Sequence, residues 1–442
     1  MMKIGVAKAI ITPPLGAPLV GYFTPRPNVG VLDDLYVRAM LFEQDGLISG
    51  VVTFDLCFLS TQLIKNIRKY LDQFDCSYSD NLIFNATHTH TGPYVDEFFG
   101  APADEEYLNF LASTAATTIF LAQRNLAESQ LLGTRIDGNP CAFNRRYFMK
   151  DGKVLTNPGF LNPNIERPEG PVDNDFTLLA VKRDDKYVAL MVNLVNHTDT
   201  IGGDYVSSDW PGRMEREIQT LMGYDVPVFT LIGCSGNINH FDVSNDIDQT
   251  SYAEACRIGR LYGKMAFEAL DKLEVIADGK MRVKNEPIVI PFRDNLTEAD
   301  VAAAQATIDR IGDKCDCAAM TSEELASGDG PVAKFFAEQM ILYYKNSAGK
   351  KRSFDMVSIK LGDAVDFVTL PGEPFTEIGM AIKAASKAKF KLVVALAMGE
   401  CGYIPLKECF DRGGYEILPV DGGSPREDTA ERLTAKAIEL IK

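Results

Sequence analysis

The chain has 442 residues, enough for several domains or one large α/β unit at about 100–200 residues per domain. Hydrophobic residues make up 46% of it and charged residues 24%, a globular composition that excludes disordered, collagen-like and disulfide-scaffold proteins. The 45 basic and 61 acidic residues give a net charge of −16, which argues against nucleic acid and anionic membranes as partners.

The N-terminus, MMKIGVAKAIITPPLG, lacks the apolar core and the cleavage site of a secretory signal. No apolar run reaches the length of about 18 residues that a transmembrane helix needs. The nine cysteines are spread along the chain, and only Cys315 and Cys317 lie close together, as a weak C-x-C signal. We therefore expect free thiols in a cytoplasmic protein, or a secreted or periplasmic one if a leader has been removed. The sequence leaves the oligomeric state open.

Apolar, β-branched runs alternate with amphipathic stretches along the chain, as strands alternate with helices. This order predicts one α/β domain over residues 1–442, with a layered mixed β-sheet, flanking helices and an active site at the C-terminal ends of strands. The predicted strands are 50–59, 81–87, 187–196, 226–233, 364–370 and 391–398. The predicted helices are 63–74, 104–127, 212–221, 251–273, 377–388 and 426–441.

Two segments interrupt this alternation. Residues 138–175 are rich in Pro, Asn and Gly and are predicted as long loops, which often carry function. Residues 297–347 are predicted as a helical-hairpin insertion that begins at a capping box of Thr297 and Asp300. The hairpin is either a cap over the site or a pair of plain surface helices. No repeat with a period of about 20–50 residues is found, which argues against a solenoid or propeller.

Two histidine segments follow predicted strands. His88 and His90 lie in NATHTHTGP, where Gly92 and Pro93 supply a turn that brings both rings towards one point. His197 follows the next predicted strand in NLVNHTDT. Each histidine alone also fits a hydrogen-bonded structural role. However, ligands gather at the carboxyl ends of strands in open α/β sheets, so we expect these two strand ends to meet at one crevice.

Three further strand ends carry polar residues. Glu373, in LPGEPF, fits either a metal ligand or an acid at the N-terminus of the next helix. Tyr403 lies at the bend of GECGYIP, as a ligand or as packing under a loop. The loop LIGCSGNINH supplies Asn237, Asn239 and His240, and its glycines without a lysine are far from a nucleotide-binding pattern.

Two histidines, one glutamate and one tyrosine at these strand ends offer two nitrogen and two oxygen donors, a set that suits zinc. They are His88, His197, Glu373 and Tyr403. Four such ligands with room for a water are typical of a catalytic zinc site. Neutral histidine ligands need hydrogen-bond acceptors behind them, and Asp55 and Asp209 are our candidates for that role.

These motifs, in this order, resemble the catalytic domain of the neutral/alkaline non-lysosomal ceramidase family over nearly the whole chain. The specific part is GVAKAIITPPLGAPLVGY with DDLYVRAMLFE near the N-terminus, together with THTHTGP, which is similar to the family's THTHSGP. NHT, PGE and GYIP follow at compatible separations. The family consists of zinc-dependent amidases that split ceramide into sphingosine and a fatty acid. The resemblance therefore implies a ceramidase-like hydrolase of lipid metabolism with a lipid-like amide substrate.

The resemblance also implies a role for each site residue. It implies that Zn²⁺ is held by the four ligands given above, with His90 and Arg145 as catalytic groups near the scissile amide. Gly21 falls in the segment expected to line the substrate site. The family's GDVSP-like loop, with an Asp and a Ser facing the site, corresponds here to residues 236–240.

In this loop Asn239 takes a catalytic position, while Asn237 and His240 take substrate-binding positions. Because the chain ends at Lys442, we expect no C-terminal immunoglobulin-like domain.

The hypothesis from the sequence is hydrolysis of an amide by zinc-activated water. His90 would deliver a proton to the leaving amine, and Arg145 would donate hydrogen bonds to the oxyanion. Two alternatives stay open. The first is a zinc hydrolase of a small polar or sugar-derived amide or ester, which the acidic charge and the Asn-rich loop favour. The second is a non-catalytic metal-binding or ligand-binding relative.

Overall fold

The computed structural model describes residues 2–23, 26–74, 76–97, 102–277, 279–312 and 330–442. Within these ranges the chain forms a mixed α/β fold of several sheets flanked by eight α-helices, which confirms the predicted fold class. The helices are α1 (Thr61–Asp72), α2 (Glu105–Arg124), α3 (Asp209–Met222), α4 (Tyr252–Ala269), α5 (Glu298–Ile311), α6 (Gly330–Asn346), α7 (Thr376–Ala385) and α8 (Thr429–Ile441).

The strands form three larger sheets and several two- or three-stranded ones. The strands are β1 (Lys3–Ile10), β2 (Pro18–Leu19), β3 (Arg26–Pro27), β4 (Gly30–Val31), β5 (Tyr36–Gln44), β6 (Leu47–Phe54), β7 (Leu82–Ala86), β8 (Ala127–Glu128), β9 (Gln130–Asp137), β10 (Phe143–Asn144), β11 (Arg146–Met149), β12 (Val154–Thr156), β13 (Ile165–Pro168), β14 (Asp175–Arg183), β15 (Lys186–Leu194), β16 (Tyr205–Val206), β17 (Val228–Ile232), β18 (Ile238–Asn239), β19 (Glu274–Val275), β20 (Met281–Pro291), β21 (Lys351–Leu361), β22 (Val365–Thr369), β23 (Glu373–Pro374), β24 (Phe390–Val394) and β25 (Tyr403–Ile404).

The three larger sheets repeat one topology. Their strand orders are β7-β6-β5-β1-β8, β17-β15-β14-β9-β19 and β24-β22-β21-β20. In each sheet three antiparallel strands are followed by a helix, then by a strand parallel to the third, then by a second helix. A parallel pair needs such a crossover, and α1, α3 and α7 supply it in turn. The molecule therefore contains three β-β-β-α-β-α units, which begin at β1, β9 and β20.

One hydrophobic core joins the three units. It includes fully buried residues from each larger sheet, among them Phe42, Phe176 and Phe367. The rings of Phe42 and Phe367 lie 6.3 Å apart across two sheets. Strands β7, β17 and β22 are buried along their whole length, as expected for strands of a parallel pair covered on both faces. This shared core places the ends of the parallel strands of all three units close together.

Side-chain caps fix the start of several helices. Ser60, Asp104 and Ser251 accept hydrogen bonds from backbone N–H groups in the first turns of α1, α2 and α4, which is the preferred chemistry at this position. The capping box predicted for Thr297 and Asp300 is present at α5, with both reciprocal hydrogen bonds formed.

The two interrupting segments differ in outcome. Helices α5 and α6 pack against each other as a hairpin, whereas residues 313–329, with Cys315 and Cys317, lie outside the described residues. Residues 138–175 are not only loops, because β10 to β13 form within them and three of these strands make a small sheet. These strands are only two to four residues long, which is too short for an alternating apolar pattern to be recognised.

No disulfide links the seven cysteines of the described ranges to one another, and all but Cys256 are buried. No helix among the described residues has both the length and the apolar character needed to cross a lipid bilayer.

Candidate metal centre and active site

The candidate site lies where strands of the three units end. His88 follows β7 of the first unit, and His197 follows β15 of the second. Glu373 follows β22 of the third unit, and Tyr403 follows β24. Glu373 and Tyr403 also pair with each other in register as the short parallel strands β23 and β25. The predicted convergence of polar strand ends on one crevice is therefore what the topology produces.

The donor atoms of His88, His197 and Glu373 lie within 4.8 Å of one another. The Nε2 atoms of the two histidines are 3.0 Å apart. Glu373 Oε2 lies 3.3 Å from Nε2 of His88 and 3.5 Å from Nε2 of His197. This carboxylate oxygen is buried and has no hydrogen-bond partner within the described ranges of the chain. The three side chains thus point their ligand atoms at one common centre.

Two backbone carbonyls set the orientation of these histidines. The carbonyl oxygen of Cys57 lies 2.7 Å from His88 Nδ1, and that of Ser235 lies 3.2 Å from His197 Nδ1. A carbonyl can only accept, so each Nδ1 donates its proton and each Nε2 keeps its lone pair towards the centre. Two lone pairs facing each other at 3.0 Å repel unless a cation or a proton lies between them.

The expectation that Asp55 and Asp209 support the histidine ligands is wrong. Asp55 binds the Arg38 guanidinium, with both oxygens 2.9 Å from its Nη1, and Arg38 bonds onward to Glu215. Asp209 accepts hydrogen bonds from the backbone and hydroxyl of Thr200. Carbonyls took the predicted place of these acids, and backbone acceptors cannot be recognised from residue type.

The backbone at His88 is in the left-handed region, with φ at 70°. This conformation is unfavourable for a residue with a Cβ and is found at functional sites where the surroundings enforce it. Here the His88 N–H bonds to the Leu56 carbonyl, and the ring is held by Cys57. The turn expected after the strand therefore occurs at His88 itself, before Gly92.

The electrostatics of the cluster favour one positive charge at its centre. Burial lowers the pKa of His197 and of His90 well below the ordinary value, and the charge of His88 lowers both further. Burial also acts to lower the pKa of His88, but Cys57 and Glu373 outweigh it and the net pKa is raised. For Glu373 burial raises the pKa, but facing His88 leaves it below the usual value.

Arg145 lies on one side of this centre. Its Nε donates to Glu416 at 3.0 Å and its Nη2 to the Gly236 carbonyl at 2.6 Å. The guanidinium lies 5.1 Å from the ring centres of both Tyr403 and Tyr415, and the two tyrosine hydroxyls are 3.4 Å apart. Arg145 is therefore buried and fixed beside Tyr403, as a charged donor.

His90 lies on another side, between the metal-ligand cluster and a carboxylate that the sequence analysis did not single out. His90 Nε2 is 3.3 Å from His88 Nε2, and its Nδ1 is 3.4 Å from Asp199 Oδ1. The Tyr22 hydroxyl donates to the same Asp199 oxygen at 2.6 Å. Asp199 stands two residues after His197, and that proximity in sequence was the available signal.

The remaining predicted residues lie in supporting positions. Gly21 packs on His90, because a Cβ at Gly21 would meet the Cβ and Cγ of His90 at 2.6 Å. Asn237 accepts from the backbone N–H of Thr376 at 2.8 Å, which caps α7 from the outside. Asn239 donates to the side chain of Asn157 at 2.9 Å. His240 Nε2 is 2.7 Å from the Gln249 carbonyl.

Glu400 was also overlooked, although it lies in the GECGYIP motif. Burial, together with the negative charge of Glu373, raises the pKa of the Glu400 carboxyl to about 8. The backbone N–H of Gly402 donates to it.

A second possible group of metal ligands joins Cys57 with His88 and His90. The thiol, however, lies 3.7 Å from His88 Nδ1, on the far side of the ring from the common centre.

Two solved structures share this fold over the whole chain. One is the neutral ceramidase from Pseudomonas aeruginosa, and the other is a ceramidase in complex with a ligand designated C2. Each aligns with a TM-score of 0.73 and 16% sequence identity, and the alignment covers 100% of this chain and 74% of the other. The resemblance to neutral ceramidases that the motifs indicated is thereby confirmed for the fold.

The sequence itself matches no protein-family model and no curated protein. The argument for function therefore depends on the chemistry of the site.

Proposed function

We propose that the protein is a zinc-dependent hydrolase that cleaves an amide bond in an N-acyl amine, as a ceramidase-like amidohydrolase. The observation that carries the proposal is the pair of His88 and His197 Nε2 atoms, which face each other at 3.0 Å beside the unpartnered Glu373 oxygen. The shared fold with neutral ceramidases supports it.

The donor set fits zinc. Two imidazoles whose Nδ1 atoms face backbone carbonyls and one carboxylate, with the Tyr403 hydroxyl as a fourth ligand, combine nitrogen and oxygen donors as zinc prefers. Glu373 and Tyr403 are held next to each other by the β23–β25 pairing. When bound in such a site, zinc supplies an acidified water and polarises a carbonyl oxygen.

The chain's own residues divide the remaining work between the two halves of an amide. His90, whose Nε2 lies 3.3 Å from His88 Nε2, has a pKa lowered by burial and starts neutral. It is therefore placed to take a proton from the attacking water and to hand it to the departing amine. Arg145, fixed by Glu416 and the Gly236 carbonyl, is placed to donate to the oxygen that becomes negative in the transition state. Because Glu416 and Gly236 already orient the guanidinium, little reorganisation is needed during the reaction.

The test compares two isosteric changes four residues apart. Glu373→Gln removes the carboxylate from the centre, whereas Glu377→Gln alters a carboxylate that accepts a hydrogen bond from Asn237. Losing an outer partner of a ligand costs about 10–100-fold in metal affinity, so losing the ligand should cost at least about 100-fold. We expect Glu373→Gln to lose zinc, measured by mass spectrometry, together with fatty-acid release from short- and long-chain N-acyl amines.

The Glu377→Gln control should retain zinc and activity. His88→Ala should behave as Glu373→Gln does. Full activity in metal-free protein of either centre variant would refute the mechanism, and zinc binding without turnover of any amide would favour a ligand-binding relative.

A further inference from the structure

Asp199 stands one imidazole ring beyond the metal-ligand cluster. Its Oδ1 accepts a hydrogen bond from Tyr22 at 2.6 Å and lies 3.4 Å from His90 Nδ1. The opposite nitrogen of His90 is 3.3 Å from His88. Although the two atoms are 3.4 Å apart, the Asp199–His90 contact does not form a hydrogen bond. Among the described residues His90 Nδ1 has no hydrogen-bond partner. Asp199 is therefore not committed to orienting His90.

Exposure rises from the centre towards Asp199. The side chains of His88 and His197 are 3% and 2% exposed, that of His90 is 11% exposed, and that of Asp199 is 28% exposed. A molecule that reaches the cluster along this side passes Asp199 before it meets His90. Asp199 is thus a more exposed carboxylate than Glu373, whose side chain is 12% exposed.

A second buried acceptor, on His240, is coupled electrostatically to Asp199. His240 is 2% exposed, and its Nε2 faces the Gln249 carbonyl, so Nε2 carries the proton and Nδ1 is left with a lone pair. Among the residues that the structure describes, this buried Nδ1 has no hydrogen-bond partner. Among the charged groups that act on His240, Asp199 acts most strongly. A buried acceptor without a donor is unfavourable and indicates that a bound molecule supplies the donor.

We propose that Asp199 and His240 form a specificity site that binds hydroxyl or ammonium donors on the amine half of the substrate. This inference rests on the proposed amidase function, in which His90 serves the leaving amine. Asp199 lies on the side of His90 away from the cluster, whereas Arg145 lies beside the rings of Tyr403 and Tyr415. Amino alcohols and amino sugars both carry hydroxyl donors next to the amide nitrogen, and a plain alkylamine carries none.

The experiment uses the zinc-loaded full chain and three substrates with the same acyl group. These are an N-acyl amino alcohol, an N-acyl amino sugar and an N-acyl alkylamine. The measured quantity is the ratio of kcat/KM for each donor-bearing substrate to kcat/KM for the alkylamine. The wild type should prefer one or both donor-bearing substrates, and which one identifies the source of the donors.

The variants are Asp199→Asn and His240→Gln, of which the second keeps an amide donor for the Gln249 carbonyl. Hydrogen bonds to charged groups are strong, so Asp199→Asn should lower the preference by about tenfold or more, mainly through KM. His240→Gln should lower it in the same direction. Asp204→Asn, on the same loop and exposed, serves as the matched control and should keep the wild-type ratio.

Equal loss of kcat/KM on all three substrates would overturn the specificity site, because Asp199 would then act through His90. A wild type that cleaves all three equally would overturn it as well, while leaving the amidase function intact. A zinc-loaded wild type that cleaves none would instead count against the amidase function itself.

Discussion

At Gly21 a single missing side chain gives His90 its position. The backbone there has φ at 104°, and the site of a Cβ is already taken by the His90 Cβ and Cγ at 2.6 Å and by its backbone at 2.8 Å. Since the backbone cannot yield cheaply, an added methyl group would push the imidazole out of line.

Gly21→Ala should therefore reduce activity far more than stability. A misplacement of about 1 Å at a reacting group can cost about 100-fold in rate, and we expect a loss of this order in kcat/KM for an N-acyl amine. Gly16→Ala is the matched control, because Gly16 also has positive φ, at 86°, but no atom lies within 4 Å of its Cβ position. Similar activity losses in both variants would show that backbone strain, and not His90, is responsible.

Glu416 holds two arginines in the interior. Its carboxylate pairs with Arg145 at 3.0 Å and with Arg146 at 2.7 Å, and all three side chains are buried. Burial raises the pKa of Glu416, but the two arginines outweigh it and leave the pKa below its usual value. The ion-pair contribution is therefore present at neutral pH and lost as the pH falls below the ordinary range of a glutamate, at about 4.

Glu416→Gln should destabilise the protein by about 3–5 kcal/mol, because it leaves the buried guanidinium of Arg145 without its carboxylate partner. Urea unfolding at neutral pH measures this. Glu274→Gln, which breaks the exposed pair with Lys389, should change stability by less than about 1 kcal/mol. The difference in unfolding free energy between the two variants should become smaller as the pH is lowered. A difference that stayed constant with pH would contradict the ion-pair explanation.

At the scale of elements, the sequence predicted the parallel strands better than the antiparallel ones. The six predicted strands correspond to β6, β7, β15, β17, β22 and β24. All six run in parallel pairs, which are buried on both faces and read as apolar runs. Strand β20 was missed because exposed, intermediate and buried positions are mixed along it.

The same contrast holds within the site. The histidines, Glu373 and Tyr403 were predicted as site residues because each follows a strong strand signal. Asp199, Tyr22 and the two supporting carbonyls were not, because their roles depend on loop conformations that residue type does not encode.

The hairpin of α5 and α6 packs an aromatic cluster against two loops of the site. Phe336 of α6 contacts Phe23, with ring centres 5.8 Å apart, and stacks on Tyr415 at 6.2 Å. Phe23 follows Tyr22, and Tyr415 touches Tyr403. The hairpin is therefore joined to both the His90 side and the Tyr403 side of the centre, and we propose that it shapes the site's entrance.

Phe336→Ala should cost about 3 kcal/mol of stability, as expected for a buried phenylalanine. It should also raise KM for long-chain N-acyl amines, because Tyr415 loses its support. Leu342→Ala provides the comparison, since Leu342 lies on the same helix but is 41% exposed. Unfolding curves and KM values for both variants check this, and an unchanged KM in Phe336→Ala would separate the hairpin from the site.

For the whole molecule, the threefold repetition of one topology places the candidate centre where three units meet. Under the proposed zinc binding each unit would contribute at least one ligand from the end of a parallel strand, so a bound ion would bridge three sheets. The repeat itself was not visible in the sequence. The units begin at β1, β9 and β20, and the distances between these starts along the chain are much longer than the periods of about 20–50 residues of solenoid repeats.

Zinc should therefore stabilise the entire fold. At a free concentration about a thousandfold above its dissociation constant, a ligand that binds only the folded state adds about 4 kcal/mol. Chelation of the metal should lower the melting temperature in a single cooperative transition, and added zinc should restore it. In Glu373→Gln the change in melting temperature on chelation should largely disappear. A change as large as in the wild type would mean that the stabilising metal binds elsewhere.

The order of the proposed ligands along the chain also determines the order in which they are synthesised. His88 leaves the ribosome first, His197 follows, and Glu373 and Tyr403 come near the end. At about 5–20 residues per second, roughly a quarter to one minute of translation separates His88 from Glu373. During that time the nascent chain presents two histidines without their carboxylate. If these four residues bind the metal as proposed, the centre is complete only after the third unit has been synthesised, and a product truncated before Glu373 lacks the last two ligands.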